Sequence, residues 1–124
     1  VENSYKSSDE INHIDWNLVD ENLEDIEIIK ELFRIRRKYD LFRLTAPSKV
    51  KDYVTIETQE SGTIIYKLKD HDHDFIVIFK NNKSKETFNL DGRYTLIFDG
   101  QKRTRRLLSK VNVENITTYI LKRK

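Results

Sequence analysis

Phe75-Ile76-Val77-Ile78-Phe79-Lys80 is the most apolar run in the chain, and its first five residues include no polar side chain. Five apolar residues are too few for a buried helix, and β-branched and aromatic types favour a strand. In a strand, successive side chains point to opposite sides, so Phe75, Val77 and Phe79 share one face while Ile76 and Ile78 share the other. An antiparallel strand with one wet face alternates apolar and polar residues. This one does not, so it reads as a central strand that needs cover on both sides. A helix of the same chain or a body outside it could supply the second cover; the outside body is the preferred expectation.

Working outward, short β-branched and aromatic segments alternate with turn signals on both sides of this run. Asp70–Asp74 is a turn, preceded by a strand over Thr63–Leu68 with Ile64, Tyr66 and Leu68 on one face. Glu60-Ser61-Gly62 separates that strand from another over Tyr53–Thr58. On the other side, Asn81–Ser84 turns into Glu86–Leu90, and Asp91-Gly92 is a strong hairpin signal before Arg93–Phe98. Asp99-Gly100 turns again into a basic stretch, and Ile116–Leu121 is the last predicted strand. Strands at this spacing predict a mainly-β fold, an antiparallel β-sandwich of the Greek-key kind.

Before Pro47 the pattern changes. Asn22 is a suitable N-cap, acidic residues at Glu24, Asp25 and Glu27 favour a helix start, and Arg34, Arg36, Arg37 and Lys38 favour its end. Ile28, Leu32, Ile35 and Tyr39 form one apolar stripe, and Ile26, Ile29 and Phe33 form a second beside it. Two stripes on one helix predict neighbours on two sides. Residues 1–16 show no period and read as an irregular loop. Proline fixes φ and biases Ala46 away from helix, so the chain is divided into residues 1–46 and 47–124.

The bulk numbers narrow the function. A net charge of +2 is too small to indicate nucleic acid or a membrane surface as partner. No run approaches the roughly 20 apolar residues of a bilayer span. There is no cysteine, hence no disulfide or thiolate metal site. The chain starts at Val1 and has no methionine, from which it is expected to be a piece of a longer polypeptide. Its localisation is left open, as either cytoplasmic or secreted.

Candidate chemistry is sparse. Asp70-His71-Asp72-His73-Asp74 is rich in metal-ligand types, with His71 and His73 as weak candidates, but a solvated turn explains the same residues. No metal and no cofactor is expected. Lys102, Arg103, Arg105 and Arg106, with Lys122, Arg123 and Lys124, form basic clusters without interleaved aromatics, a solvated surface rather than a nucleic-acid platform. The three glycines lie too far apart for a phosphate loop. Asn82-Lys83-Ser84 and Asn115-Ile116-Thr117 fit the N-glycosylation pattern and are assigned no role.

The opening loop is more specific. Asn3-Ser4-Tyr5, Asp9, Asn12 and Ile14-Asp15-Trp16 resemble the signature of type I pullulanases of the alpha-amylase superfamily, where an Asn-Ser-Tyr motif leads to Asn-Gln-Ile-Asp-Trp before the last barrel helix. His13 stands where glutamine is common. Residues 32–44 are similar to that family's last-helix pattern ending in Pro-Ala-Phe-Arg-Leu: Arg36, Phe42, Arg43 and Leu44 agree, Asp40 replaces the proline and Tyr39 a histidine.

The resemblance implies a parent enzyme that hydrolyses α-1,6-glucosidic bonds in pullulan, starch or glycogen with retention. Its catalytic carboxyl pair would lie on a (β/α)8 barrel of about 250 residues, which this chain is too short to contain. Residues 1–46 would then be the last βα loop and helix of that barrel, and 47–124 a C-terminal β-sandwich. This segment by itself is expected to be inactive, with the barrel of the same polypeptide as partner. Asn3, Ser4, Tyr5, Asp9 and Asn12 would line the substrate rim or fix the loop. Asp15, Trp16, Arg36, Phe42 and Arg43 would be structural. A stand-alone glucan-binding module using Tyr53, Tyr66, Tyr94 and Tyr119 is the alternative, and the exposed apolar surface predicts self-association of the isolated chain.

Overall fold

A computed structural model of the chain describes residues 22–59 and 61–124. Asn3, Ser4, Tyr5, Asp9, Asn12, Asp15 and Trp16 lie outside the described residues. Helix α1 spans Leu23–Lys38, and the Ile26 N–H donates to the Asn22 carbonyl at 3.0 Å to open it. A 3-10 turn at Asp40–Phe42 follows. Pro47 then begins a short helix, α2, over Pro47–Tyr53. Sequence reasoning treated this proline only as a boundary. It occupies the first helical turn, where its missing N–H costs nothing and its fixed φ is already helical.

Six strands form one antiparallel sheet: β1 (Val54–Thr58), β2 (Ile64–Lys69), β3 (Asp74–Lys80), β4 (Glu86–Phe98), β5 (Arg103–Val113) and β6 (Thr117–Arg123). The order is β1-β2-β3-β6-β4-β5. The last strand returns to lie beside β3, the return expected of a Greek key, and also separates β3 from β4.

Two expectations are corrected here. Asp91-Gly92 does not make a hairpin; residues 86–98 are one long strand, with a register shift against β5 between Asn89 and Tyr94. A two-residue hairpin of the favoured type needs positive φ, and Gly92 is not among the glycines with positive φ. The basic stretch after Gly100 is itself a strand, β5, on the sheet edge. Its charged side chains suit an edge that must not pair with another chain.

The shift in β4 divides the sheet into two packed layers. The first half of β4, with Phe88 and Leu90, packs with Val111 and Val113 of β5 against Ile65, Ile76, Ile78 and Leu121. The opposite face of the sheet carries Leu68, Phe75, Val77, Phe98 and Ile120, and these pack with Ile35, Tyr39 and Leu41 from α1 and the turn after it. Leu96 and Phe98 have the same parity yet enter different cores, because a second register shift lies between them.

Over Phe75–Ile78 both covers of β3 therefore come from this chain, while Phe79 stays 40% exposed. The expectation that a body outside the chain covers its second face is corrected: Ile76 and Ile78 are under the folded-over β4–β5 ribbon, and Phe75 and Val77 are under the helix side. More of the exposed apolar surface lies elsewhere. On α1, Leu23, Ile29 and Phe33 are 54%, 50% and 56% exposed, whereas Ile35 is 2% exposed.

Candidate functional site

The end of α1 is latched to the sheet by aromatic edges. Tyr39 meets Phe75 at 4.8 Å between ring centroids and His73 at 5.3 Å, both edge-on, and Phe42 meets Phe75 at 4.9 Å. Such pairs add stability beyond the area they bury. Arg43 completes the latch by capping the helix: its Nε donates to the Arg36 carbonyl at 2.8 Å, and Nη2 donates to the Arg37 carbonyl and pairs with Asp40. These carbonyls are among the four that every helix leaves without an internal partner. Arg36 contributes through its backbone; its own side chain is exposed. Of the residues singled out at this helix end, Phe42 and Arg43 thus meet at one joint.

Beside the latch, Ile28, Leu32, Phe42, Tyr66, Phe79 and Ile120 line an apolar groove of about 580 Å³ between α1 and the sheet. Its walls offer little for orienting a sugar, since polar groups fix ligand orientation in binding sites.

Two polar constellations were not found from sequence. In the first, the Arg123 Nε donates to Asp74 at 2.8 Å, and Nη2 reaches both Asp91 and the Tyr94 hydroxyl at 2.7 Å. The Tyr94 hydroxyl donates to Asp91 at 2.7 Å, and the guanidinium lies over the Tyr94 ring. Burial, then the bond to Asp91, pushes the Tyr94 phenol well above its ordinary value. The bond from Tyr94 holds the Asp91 carboxyl below its own. This clamp joins the start of β3, the end of β6 and the register shift of β4. Gly92 is needed for room: a Cβ there would stand 2.5 Å from Arg123 Nη1.

In the second, Lys80 is 2% exposed at the end of β3. Its Nζ donates to the Asn82 carbonyl at 3.0 Å, the Asn82 side-chain oxygen and Ser84 Oγ at 3.1 Å, and lies 3.8 Å from Glu86. Glu86 also accepts from Thr63 Oγ1 at 2.6 Å. Hydrogen bonds from the Ser61 and Thr63 hydroxyls hold the Glu86 carboxyl below its ordinary value. A charge with this many partners is a satisfied buried ammonium, not an exposed nucleophile. Asn82, in one of the glycosylation patterns, spends its amide on Ser61 and Asn81. A lysine closing an apolar strand before Asn-Asn-Lys-Ser was the available signal for this staple.

The Asp70–Asp74 turn is held by Asp70, whose Oδ1 accepts the backbone N–H groups of Asp72 and His73 at 2.8 and 2.7 Å. His73 stacks on Phe75 at 5.9 Å, while His71 is exposed. Among the described residues, no three His, Asp or Glu side chains are grouped to hold a metal. The four tyrosines do not form a platform either. Tyr94 is 1% exposed, Tyr66 packs edge-on against Phe79 at 5.2 Å, and Tyr53 belongs to the helix-side core while Tyr119 packs on the other.

No family model matches the chain. A pullulanase of Bacillus subtilis (strain 168) is 32% identical over 98% of the chain, which corresponds to 18% of that protein. A pullulanase of Anoxybacillus sp. LM18-11, solved in complex with maltotetraose, superposes with a TM-score of 0.81 at 26% identity, over all of this chain and 19% of its own. The pullulanase of Bacillus acidopullulyticus gives 0.82 at 26% identity, over 98% of this chain and 16% of its own. The chain thus spans less than a fifth of the length of each of these three relatives.

Proposed function

We propose, from the premise that the chain is homologous to the C-terminal part of pullulanases, that it works as a non-catalytic segment of a starch- and pullulan-debranching glycoside hydrolase. In this reading residues 1–46 are the last βα loop and last helix of the catalytic barrel, and 47–124 its C-terminal β-domain. The parent hydrolyses α-1,6-glucosidic bonds with retention, and this segment braces the barrel and adds one loop to the rim of the active site.

The observation that carries the reading is the second apolar face of α1. Ile29 and Phe33 stay half-exposed after the first face has docked on the sheet. Apolar area of this kind on a helix marks a contact with another body. With Arg43 capping the helix end and the aromatic latch fixing its angle, α1 is presented as a rigid element for the barrel to pack on.

The chemistry of three carboxyls agrees. A retaining hydrolase needs two carboxyl groups about 5 Å apart, and its acid/base must keep its proton near neutral pH. Asp91 and Glu86 are instead shifted downward and tied to cations. Asp70 shifts the same way: burial opposes it, but the backbone bonds from His73 and Asp72 prevail.

In the intact parent, Phe33→Asp is expected to lower the melting temperature and the half-life of pullulan hydrolysis while the isolated chain keeps its stability. An unchanged parent would end the bracing role. The rim role is separate: Asn12→Ala in the parent is expected to raise KM for pullulan, and unchanged affinity and turnover would remove it. The stand-alone glucan module makes the opposite prediction for the isolated chain, retention on insoluble starch, and the buried Tyr94 and packed Tyr66 argue against it.

A further inference from the structure

We propose that the free edge of β1 pairs with the same edge of a second copy of this chain, antiparallel about a twofold axis at Ile56. Among the described residues, β1 has a neighbour on one side only, β2. An open edge is a template for another strand, and proteins guard such edges with lysine, proline, bulges or charge. The other edge of the sheet, β5, carries Arg103, Arg105, Arg106 and Lys110. β1, Val54-Thr55-Ile56-Glu57-Thr58, has no lysine, no proline and an unbroken register with β2, and its Ile56 is 58% exposed.

The backbone decides the register. In an antiparallel ladder the N–H and C=O of one residue point the same way, and that direction alternates along the strand. The Gln59 N–H donates to the Thr63 carbonyl at 2.9 Å, so Gln59 faces β2, and Glu57 and Thr55 face it too. Val54, Ile56 and Thr58 therefore face outward. The Val54 N–H is spent on the Val50 carbonyl at the end of α2, which leaves its C=O. When the axis is centred on Ile56, the two Ile56 residues exchange two hydrogen bonds, and each Thr58 N–H meets the Val54 carbonyl opposite, two more. Centring on Thr55 instead forms only two bonds within β1, and centring on Glu57 sets the two carboxylates face to face, which costs stability. About Ile56 the edge is its own complement. Ile56 packs beside Ile56 and Thr58 beside Val54 on the helix-side face, while the one charge of the strand, Glu57, faces Thr55 and is held by Lys67 at 2.9 Å. A self-complementary contact of this kind selects a second copy and closes as a dimer. The inference is independent of the bracing role, which uses α1.

Sedimentation equilibrium of the 124-residue chain over a range of concentrations tests it, with a monomer–dimer equilibrium as the expected result. Ile56→Pro removes a donor that faces away from β2, so the circular dichroism spectrum is expected to stay the same. Dimerisation is expected to weaken by about thirtyfold, because two of the four bonds across the axis are lost. Should Ile56→Pro not fold, amide exchange of the wild-type chain decides. The Ile56 and Thr58 amides are expected to gain protection as concentration rises, whereas those of Thr55 and Glu57 are protected throughout. A wild-type chain that stays monomeric, protection of Ile56 and Thr58 that ignores concentration, or a dimer unmoved by Ile56→Pro would overturn the proposal. Phe33→Asp, on α1, is expected to leave the dimer intact; its loss there would move the contact to the helix and also overturn the proposal. None of these outcomes bears on Phe33→Asp in the parent, so the two readings fail separately.

Discussion

Replacing Arg123 by alanine tests whether the clamp at the β4 register shift holds the two layers together. The side chain gives up its bond to Asp74 at 2.8 Å, its pair with Asp91 at 2.7 Å and its bond to the Tyr94 hydroxyl at 2.7 Å. A hydrogen bond to a charged group contributes about 1.5–3 kcal/mol where it is shielded from water. Here the Arg123 side chain is 33% exposed and Asp91 is 73% exposed, so solvent screening removes most of the Asp91 share. Asp74, at 17% exposure, would lose its cation and keep its burial, which adds a desolvation cost of about 1–2 kcal/mol. The sum is about 3 kcal/mol. For a chain of this length that corresponds to a fall in melting temperature of about 10 °C. Urea unfolding followed by far-ultraviolet circular dichroism measures it, with an unchanged m value expected because the core is the same. Groups that act as one unit are non-additive, so Asp74→Asn together with Arg123→Ala should cost little more than Arg123→Ala alone. A loss below about 0.5 kcal/mol would refute the reasoning, as would full additivity.

Two further predictions follow from the same geometry. Gly92→Ala is expected to destabilise the wild-type chain by about 1–2 kcal/mol, because the added Cβ meets Arg123 Nη1 and not because of backbone strain. In the Arg123→Ala background that cost should vanish, and a cost that persists would show that Gly92 is needed for its conformation instead. The depressed carboxyls set the response to acid: Glu86, Asp91 and Asp70 are all lowered in the folded chain. Their stabilisation is fully present above the unfolded values of about 4 and is lost as pH falls through the folded ones. Thermal stability should therefore drop steeply below about pH 4, and Glu86→Gln should lower stability at neutral pH while flattening that drop. An acid profile unaltered by Glu86→Gln would show that its hydrogen bonds contribute nothing net.

The β character, the helix with its two stripes and the position of most turns were legible because each rests on local chemistry. Gly62 and Gly100 do sit at positive φ in turns, and Asp99 accepts the N–H groups of Gln101 and Lys102 as an Asx turn should. The failures share one cause. Asp-Gly at 91–92 carries the composition of a hairpin, but alternation runs on through Phe88, Leu90, Tyr94 and Leu96, and only the distant Arg123 explains the glycine. β5 was unreadable for the complementary reason. Its inward residues are Leu108, Val111 and Val113, and the three-residue step between Leu108 and Val111 breaks the period of two where β4 shifts register. The buried Lys80 needed Ser84 and Glu86 after it and, bonded to Glu86, Thr63 from before β2, two places in the chain that local pattern does not join.

The reading of β3 shows how far an apolar count can be taken. Phe75 to Phe79 does require two covers, and that requirement follows from strand geometry alone. Which body supplies them is a tertiary fact, decided by whether the β4–β5 ribbon folds back over Ile76 and Ile78. That fold-back depends on the register shift, and the shift is held by Arg123, forty-five residues after Ile78 in sequence. The helix obeys a different logic. Its two stripes cannot both face one sheet, because a helix presents a single side to a flat surface; once Ile35 and Tyr39 are inside, Ile29 and Phe33 must be out. The case for a neighbour therefore moves largely from the strand to the helix, where the exposed face rather than the hidden one is what another body can recognise.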